Sequence, residues 1–213
     1  MTKKSSRETG TRRRLLEAAA EIYAEHGYNN ARVRDICKRA GANIAAVNYH
    51  FGDKRALYDE VLRYAFFSVA GADPTAWDLK PEVGVRKRLQ AFVQNLLTQL
   101  LSEGRSALYA KLVARELANP TQALERVIDD GIRPQIEVLF SIVREVLGDA
   151  ADEKVVRRCA GSILGQCLYY YFARPVIRHL KLEQQLNAAV IDDLADHITR
   201  FSLGGLTRMG GGG

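Results

Sequence analysis

Five residues in one helix-length stretch carry the chemistry that stands out: Ala45, Ala46, Asn48, Tyr49 and His50. The two alanines leave one side nearly flat, so the backbone there can come close to another surface. The amide, phenol and imidazole near the end can give and take hydrogen bonds. Short helices of this make-up suit the major groove of DNA, where base edges present a fixed pattern of donors and acceptors. Bond-making chemistry is not legible. There is no glycine-rich phosphate loop, no zinc spacing among His26, His50, His179 and His197, and no Ser/His/Asp or Cys/His arrangement. The sequence therefore points away from an enzyme, and it asks for no cofactor.

A reading helix must be held at a fixed angle, and the surrounding segments can do that. Residues 33–40 place Val33, Ile36, Cys37 and Ala40 on one face, and Gly41 breaks the segment. Asn43 is suited to cap a second short helix from Ile44 to His50. Val33, Ile36, Ala40, Val47 and Phe51 can make the small core between the two. Asp53 caps a longer helix that starts at Lys54 and runs through Leu57, Tyr58, Val61, Leu62 and Ala65. Ahead of these, a helix from Thr11 to Glu25 carries Leu15, Leu16, Ala19, Ile22 and Tyr23 as its apolar stripe and stops at Gly27. Two short helices joined by a tight glycine turn have helix-turn-helix spacing.

Charge agrees with this. The chain of 213 residues has 31 Lys+Arg and 25 Asp+Glu, a formal charge of +6. Residues 1–63 hold 13 of the basic and 8 of the acidic side chains, so +5 of that excess lies in the first third. A localised positive field suits nucleic acid or an anionic membrane surface. The alanine-faced 44–50 segment argues against the membrane, where a bulky apolar face would be needed. No apolar run reaches the ~18 residues that span a bilayer, and the basic start Lys3, Lys4, Arg7 leads into no apolar secretory core. Cys37, Cys159 and Cys167 are an odd set; the last two, eight residues apart on one helix, are too far apart to bridge and read as buried filler. A cytoplasmic protein with no membrane partner is expected.

The words Glu-Ile-Tyr-Ala-Glu-His-Gly-Tyr (21–28), Val-Arg-Asp-Ile-Cys-Lys-Arg-Ala-Gly (33–41) and Val-Asn-Tyr-His-Phe-Gly-Asp-Lys-Arg-Ala-Leu (47–57) resemble the DNA-binding domain of TetR-type transcriptional regulators, over about residues 12–63. The resemblance implies an all-α protein: an N-terminal helix-turn-helix DNA-binding domain, then a larger helical ligand-binding and dimerisation domain. It matches Arg34 to a place that reaches a base edge or phosphate, Ile44, Ala45 and Ala46 to the groove-facing start of the recognition helix, Asn48, Tyr49 and His50 to base and backbone contacts, and Lys54 to a phosphate clamp. Plainer roles also fit: Arg34 as a solvated charge, Tyr49 and Phe51 as core aromatics, His50 as a cap, and Arg12, Arg13 and Arg14 as either a phosphate-gripping arm or an idle tail. Two positions depart from the family. Arg32 stands where a capping Thr or Ser is usual, and Asn48 where Tyr or Thr is common.

The rest of the chain also reads as helix, with stripes over 85–100, 107–117, 123–147, 152–171 and 182–201. Pro134 should kink the third of these, and Arg174-Pro175 should end the fourth. The expected division is a basic flexible arm (1–10), the DNA-binding domain (11–70), an effector-binding and dimerisation domain (71–203) and a glycine-rich tail without order (204–213). The resemblance implies a homodimer through helices near 152–172 and 183–202, a double-stranded, inverted-repeat operator, and release by a small-molecule effector, so that a repressor is expected. Candidate effector contacts are Trp77, Tyr109, Arg115, Glu116, Gln166, Tyr169, Tyr170 and Arg174, as polar groups that could converge on an apolar cavity.

Overall fold

The computed structural model describes residues 3–70, 80–101, 105–148, 151–181 and 187–210. They are helical almost throughout, and no strand occurs among them. In chain order the helices are α1 (Lys3–Asn30), α2 (Val33–Ala40), α3 (Ile44–Phe51), α4 (Lys54–Ala70), α5 (Val85–Leu101), α6 (Arg105–Ala118), α7 (Leu124–Val127), α8 (Arg133–Leu147), α9 (Glu153–Phe172), α10 (Arg174–Leu180) and α11 (Ala188–Gly210). The expected caps are in place, with Asn43 Oδ1 accepting from the Ala46 N–H at 2.9 Å and Asp53 Oδ1 from Ala56 at 2.7 Å, and Asp152 Oδ1 accepts from the Lys154 N–H at 2.8 Å.

The chain forms two compact units, each built from two stretches: residues 1–69 with 104–131, and residues 70–103 with 132–213. The segment 104–131, which sequence placed in the second domain, folds with the first because α6 packs on α1. In the first unit, Leu15, Ala19, Tyr23, Ile36, Leu57 and Leu62 are fully enclosed. In the second, α5, α8, α9 and α11 pack around Leu89, Phe92, Leu97, Leu139, Ile142, Val156 and Ile198. Arg88 is buried beside them and is paired with Glu145.

Several expectations need correction. Residues 3–10 are helical, since α1 begins at Lys3. Gly27 does interrupt it, with φ 75° and ψ 170° inside the helix. Pro134 acts as foreseen: a π turn over Ile128–Ile132 precedes it, because proline lacks the amide that an ordinary turn would use there. Pro175 ends α9 but also opens α10, since proline is well suited to a first helical turn. The tail is helical to Gly210. Leu206 lies one face along from Ile198 and Ser202 and is 3% exposed, so burial outweighs the poor helix propensity of Gly204 and Gly205. The two-proline loop falls largely outside the described residues.

Candidate nucleic-acid interface

The short α2 is shut at its end by Gly41, whose φ of 60° is open to glycine at little cost. Its amide and that of Ala42 donate back to the Lys38 and Cys37 carbonyls. Arg32 gives α2 no side-chain cap, as its departure from the family suggested. Ile36, Cys37 and Ala40 face inward from α2 and only Val47 is fully buried on α3.

Three arginines hold this pair of helices. Arg14 Nε donates to the Ala40 carbonyl at 3.1 Å, fixing the end of α2 to α1. Arg39 reaches back to Glu21 and Glu25, at 3.3 and 3.1 Å. The Arg12 guanidinium lies 5.2 Å from the centre of the Phe51 ring and pairs with Glu60, joining α1 to α3 and α4. Arg12 and Arg14 thus make internal contacts, although Arg14 stays exposed like Arg13, whose side chain is 75% exposed. Sequence gave no signal for these contacts, which span up to 48 residues.

With that frame fixed, the outer side of α3 is open. Tyr49 is 73% exposed and Ile44 51%. Ala45, Asn48 and, on α2, Arg34 are exposed as well, whereas Ala46 and His50 are half-buried. An aromatic ring and an isoleucine left in water on an eight-residue helix have no role in the core of this unit. His50 stands edge-on to Tyr49 and Phe51, with ring centres 5.0 and 6.2 Å away. Its inner side borders a cleft of about 250 Å³ shared with Asp59, Glu60 and Asp130. Lys54 opens α4 and is half-buried, its ammonium 4.6 Å from the centre of the Tyr28 ring; burial pulls its pKa below the usual lysine value. The surface carries flat alanine, hydrogen-bonding groups and cations together, which matches a groove floor flanked by phosphates.

The described candidate effector contacts divide between the two units. Trp77 lies outside the described residues. Tyr109 is buried in the first unit, edge-on to Tyr64. Arg115 points at the Ala24 and Glu25 carbonyls, and Glu116 is 1% exposed and bonded to Tyr58 and Thr121, so both are structural there. In the second unit, Gln166 donates to Ser202, Arg174 donates to the Leu101 carbonyl at 2.6 Å, and Tyr169 and Tyr170 stand edge-on to each other. Residue type alone could not separate these internal partners from ligand contacts.

Comparisons with known proteins bear on both units. Residues 15–61 match the family profile described as bacterial regulatory proteins of the tetR family, and residues 85–206 match the C-terminal domain of the HTH-type transcriptional dual regulator CecR. The chain is 26% identical over 181 residues to the HTH-type transcriptional dual regulator CecR of Shigella flexneri, covering 78% of each chain. It is also 26% identical over 210 residues to the HTH-type transcriptional repressor NicS of Pseudomonas putida, covering 93% of each. A solved putative transcriptional regulator from Pseudomonas aeruginosa superposes with a TM-score of 0.69 at 23% identity, covering 98% of this chain and 95% of that one. No helix among the described residues is long and apolar enough to cross a membrane. The open face of α3, the braced helix pair behind it and these two profile matches make the chain a member of the TetR family of DNA-binding transcriptional regulators, with a CecR-type C-terminal domain and no enzymatic role.

Proposed function

We propose that this regulator is a cytoplasmic, effector-responsive repressor that binds an inverted-repeat operator as a homodimer. The observation that carries DNA reading by α3 is its outer face, where Ile44, Ala45, Asn48 and Tyr49 are all exposed while Val47 alone is buried. Arg34, Ala46, His50 and Lys54 complete the contact set. A two-fold dimer presents two such helices, and its operator mirrors that symmetry.

Support for the dimer comes from α9 and α11. They run antiparallel, since Cys159 meets Met209 while Gln166 meets Ser202. Gly161 and Gly165 on α9 and Gly204 and Gly205 on α11 are exposed, and a Cβ at any of them would touch nothing in the same chain. Tyr169 and Phe172 on α9, Val176 and Leu180 on α10 and Phe201 on α11 are exposed large apolar residues. Small residues next to large apolar ones let a second copy approach closely. An effector binding the second unit would act by preferring a dimer state with the wrong separation of recognition helices. Selection of bound duplexes from a random pool, repeated with candidate effectors, tests this; asymmetric selected sites would refute the two-fold reading. In sedimentation, Gly161→Leu/Gly165→Leu should shift a dimer to monomer, and an unchanged dimer would place the interface elsewhere.

A further inference from the structure

We propose that Glu116 is a positioning residue for DNA binding: through Tyr58 it braces the tyrosines that hold Lys54 and the start of α4 against a phosphate. This rests on Lys54 meeting a phosphate, as proposed above.

Glu116 is 1% exposed, and three donors meet its carboxylate: the Tyr58 hydroxyl at 2.6 Å, the Thr121 N–H at 2.7 Å and the Thr121 hydroxyl at 2.8 Å. A buried carboxylate is costly without such partners, and simple packing on α6 would be served by leucine. From Glu116 the contacts lead to Lys54 by two routes. The Tyr58 ring lies 4.7 Å from Tyr23, edge-on, and 4.9 Å from Tyr28. Tyr23 donates its hydroxyl to the Lys54 carbonyl at 3.1 Å. Tyr28 offers its ring face to the Lys54 ammonium. Backbone and side chain of one cation are therefore both set by tyrosines that lean on Tyr58. Arg115 steadies the other end: its Nη1 lies 3.4 and 3.3 Å from the Ala24 and Glu25 carbonyls, and a Cβ on Gly27, next to Tyr28, would come within 2.8 Å of its Nε. Burial pushes the Tyr23 and Tyr58 hydroxyls above their usual pKa, so both stay protonated donors at any pH used for binding.

The test is operator affinity against salt for the full chain, using a duplex selected as above. Lys54→Ala should lower the slope of log affinity against log salt by about 0.9 per lost phosphate contact. Tyr58→Phe keeps the rings but removes the bond to Glu116. It should lower affinity about tenfold and cut the slope by a similar amount, with no further loss when combined with Lys54→Ala. Glu116→Gln keeps one acceptor oxygen for the three donors and should fall between the parent and Tyr58→Phe in affinity and slope. If Tyr58→Phe does not fold, Tyr58→Phe/Glu116→Leu removes hydroxyl and carboxylate together and should give the same reduced slope. A native slope in a folded Tyr58→Phe or double variant, or losses that add to Lys54→Ala, would overturn the role of Glu116. A native slope in Lys54→Ala would instead overturn the phosphate contact on which it rests.

Discussion

Replacing Tyr49 by alanine separates reading from folding. The side chain is 73% exposed and its ring stands edge-on to His50, 5.0 Å between centres. Losing that ring pair costs about 0.5–1 kcal/mol, and the better helix propensity of alanine returns about 0.5 kcal/mol. The net change in stability should stay within about 0.5 kcal/mol, the usual range for an exposed position. In the complex the same change removes a phenol from the groove, worth roughly 1–3 kcal/mol per contact, or about 5- to 150-fold in affinity. Val47→Ala is the matched control. At 1% exposure it removes two methyl groups from the seam between the helices, at a cost of roughly 2 kcal/mol of stability. Thermal melts and operator titrations at one fixed salt concentration read both quantities. The reasoning fails if Tyr49→Ala unfolds as readily as Val47→Ala, or if it binds operator like the parent.

Leu206→Ala should destabilise the second unit by about 2–5 kcal/mol in chemical denaturation, because Leu206 is 3% exposed; a neutral result would mean the C-terminal turns of α11 do not pack. Cys167, pushed up to about 12 by burial, should resist iodoacetamide at pH 8 in the native protein and react once it is unfolded; rapid native labelling would contradict its burial. Burial alone would raise the Glu60 carboxyl, but hydrogen bonds from Arg12 and Arg63 outweigh it and hold the pKa below its ordinary 4.5. Its stabilising share is therefore present above pH 4.5 and lost as the pH falls through the lower folded value; Arg12→Ala should move the Glu60 titration upward in carbon-detected NMR, and an unmoved titration would refute the pairing.

Local features explain what could be read in advance. Asn43, Asp53, Gly41 and Gly27 act on the turn next to them, so caps, breaks and the two short helices were legible residue by residue. The exposure of Tyr49, which sequence left open against a place in the core, goes with its position opposite Val47 on one short helix. The ends were less legible, because a glycine-rich segment reads as disorder unless the burial of Leu206 is known.

The amino-acid sequence by itself determined the helical class and the short helix that carries Ile44, Ala45, Asn48 and Tyr49, since helix periodicity, capping and turn chemistry depend on neighbours three or four positions away. Only the tertiary structure decided that Arg12 and Arg14 reach Glu60 and the Ala40 carbonyl, that 104–131 folds with the first unit, and that Glu116 is spoken for by Tyr58. Those outcomes rest on groups 26 to 91 residues apart in the chain, and whether a charge meets a partner or water at that separation is set by packing.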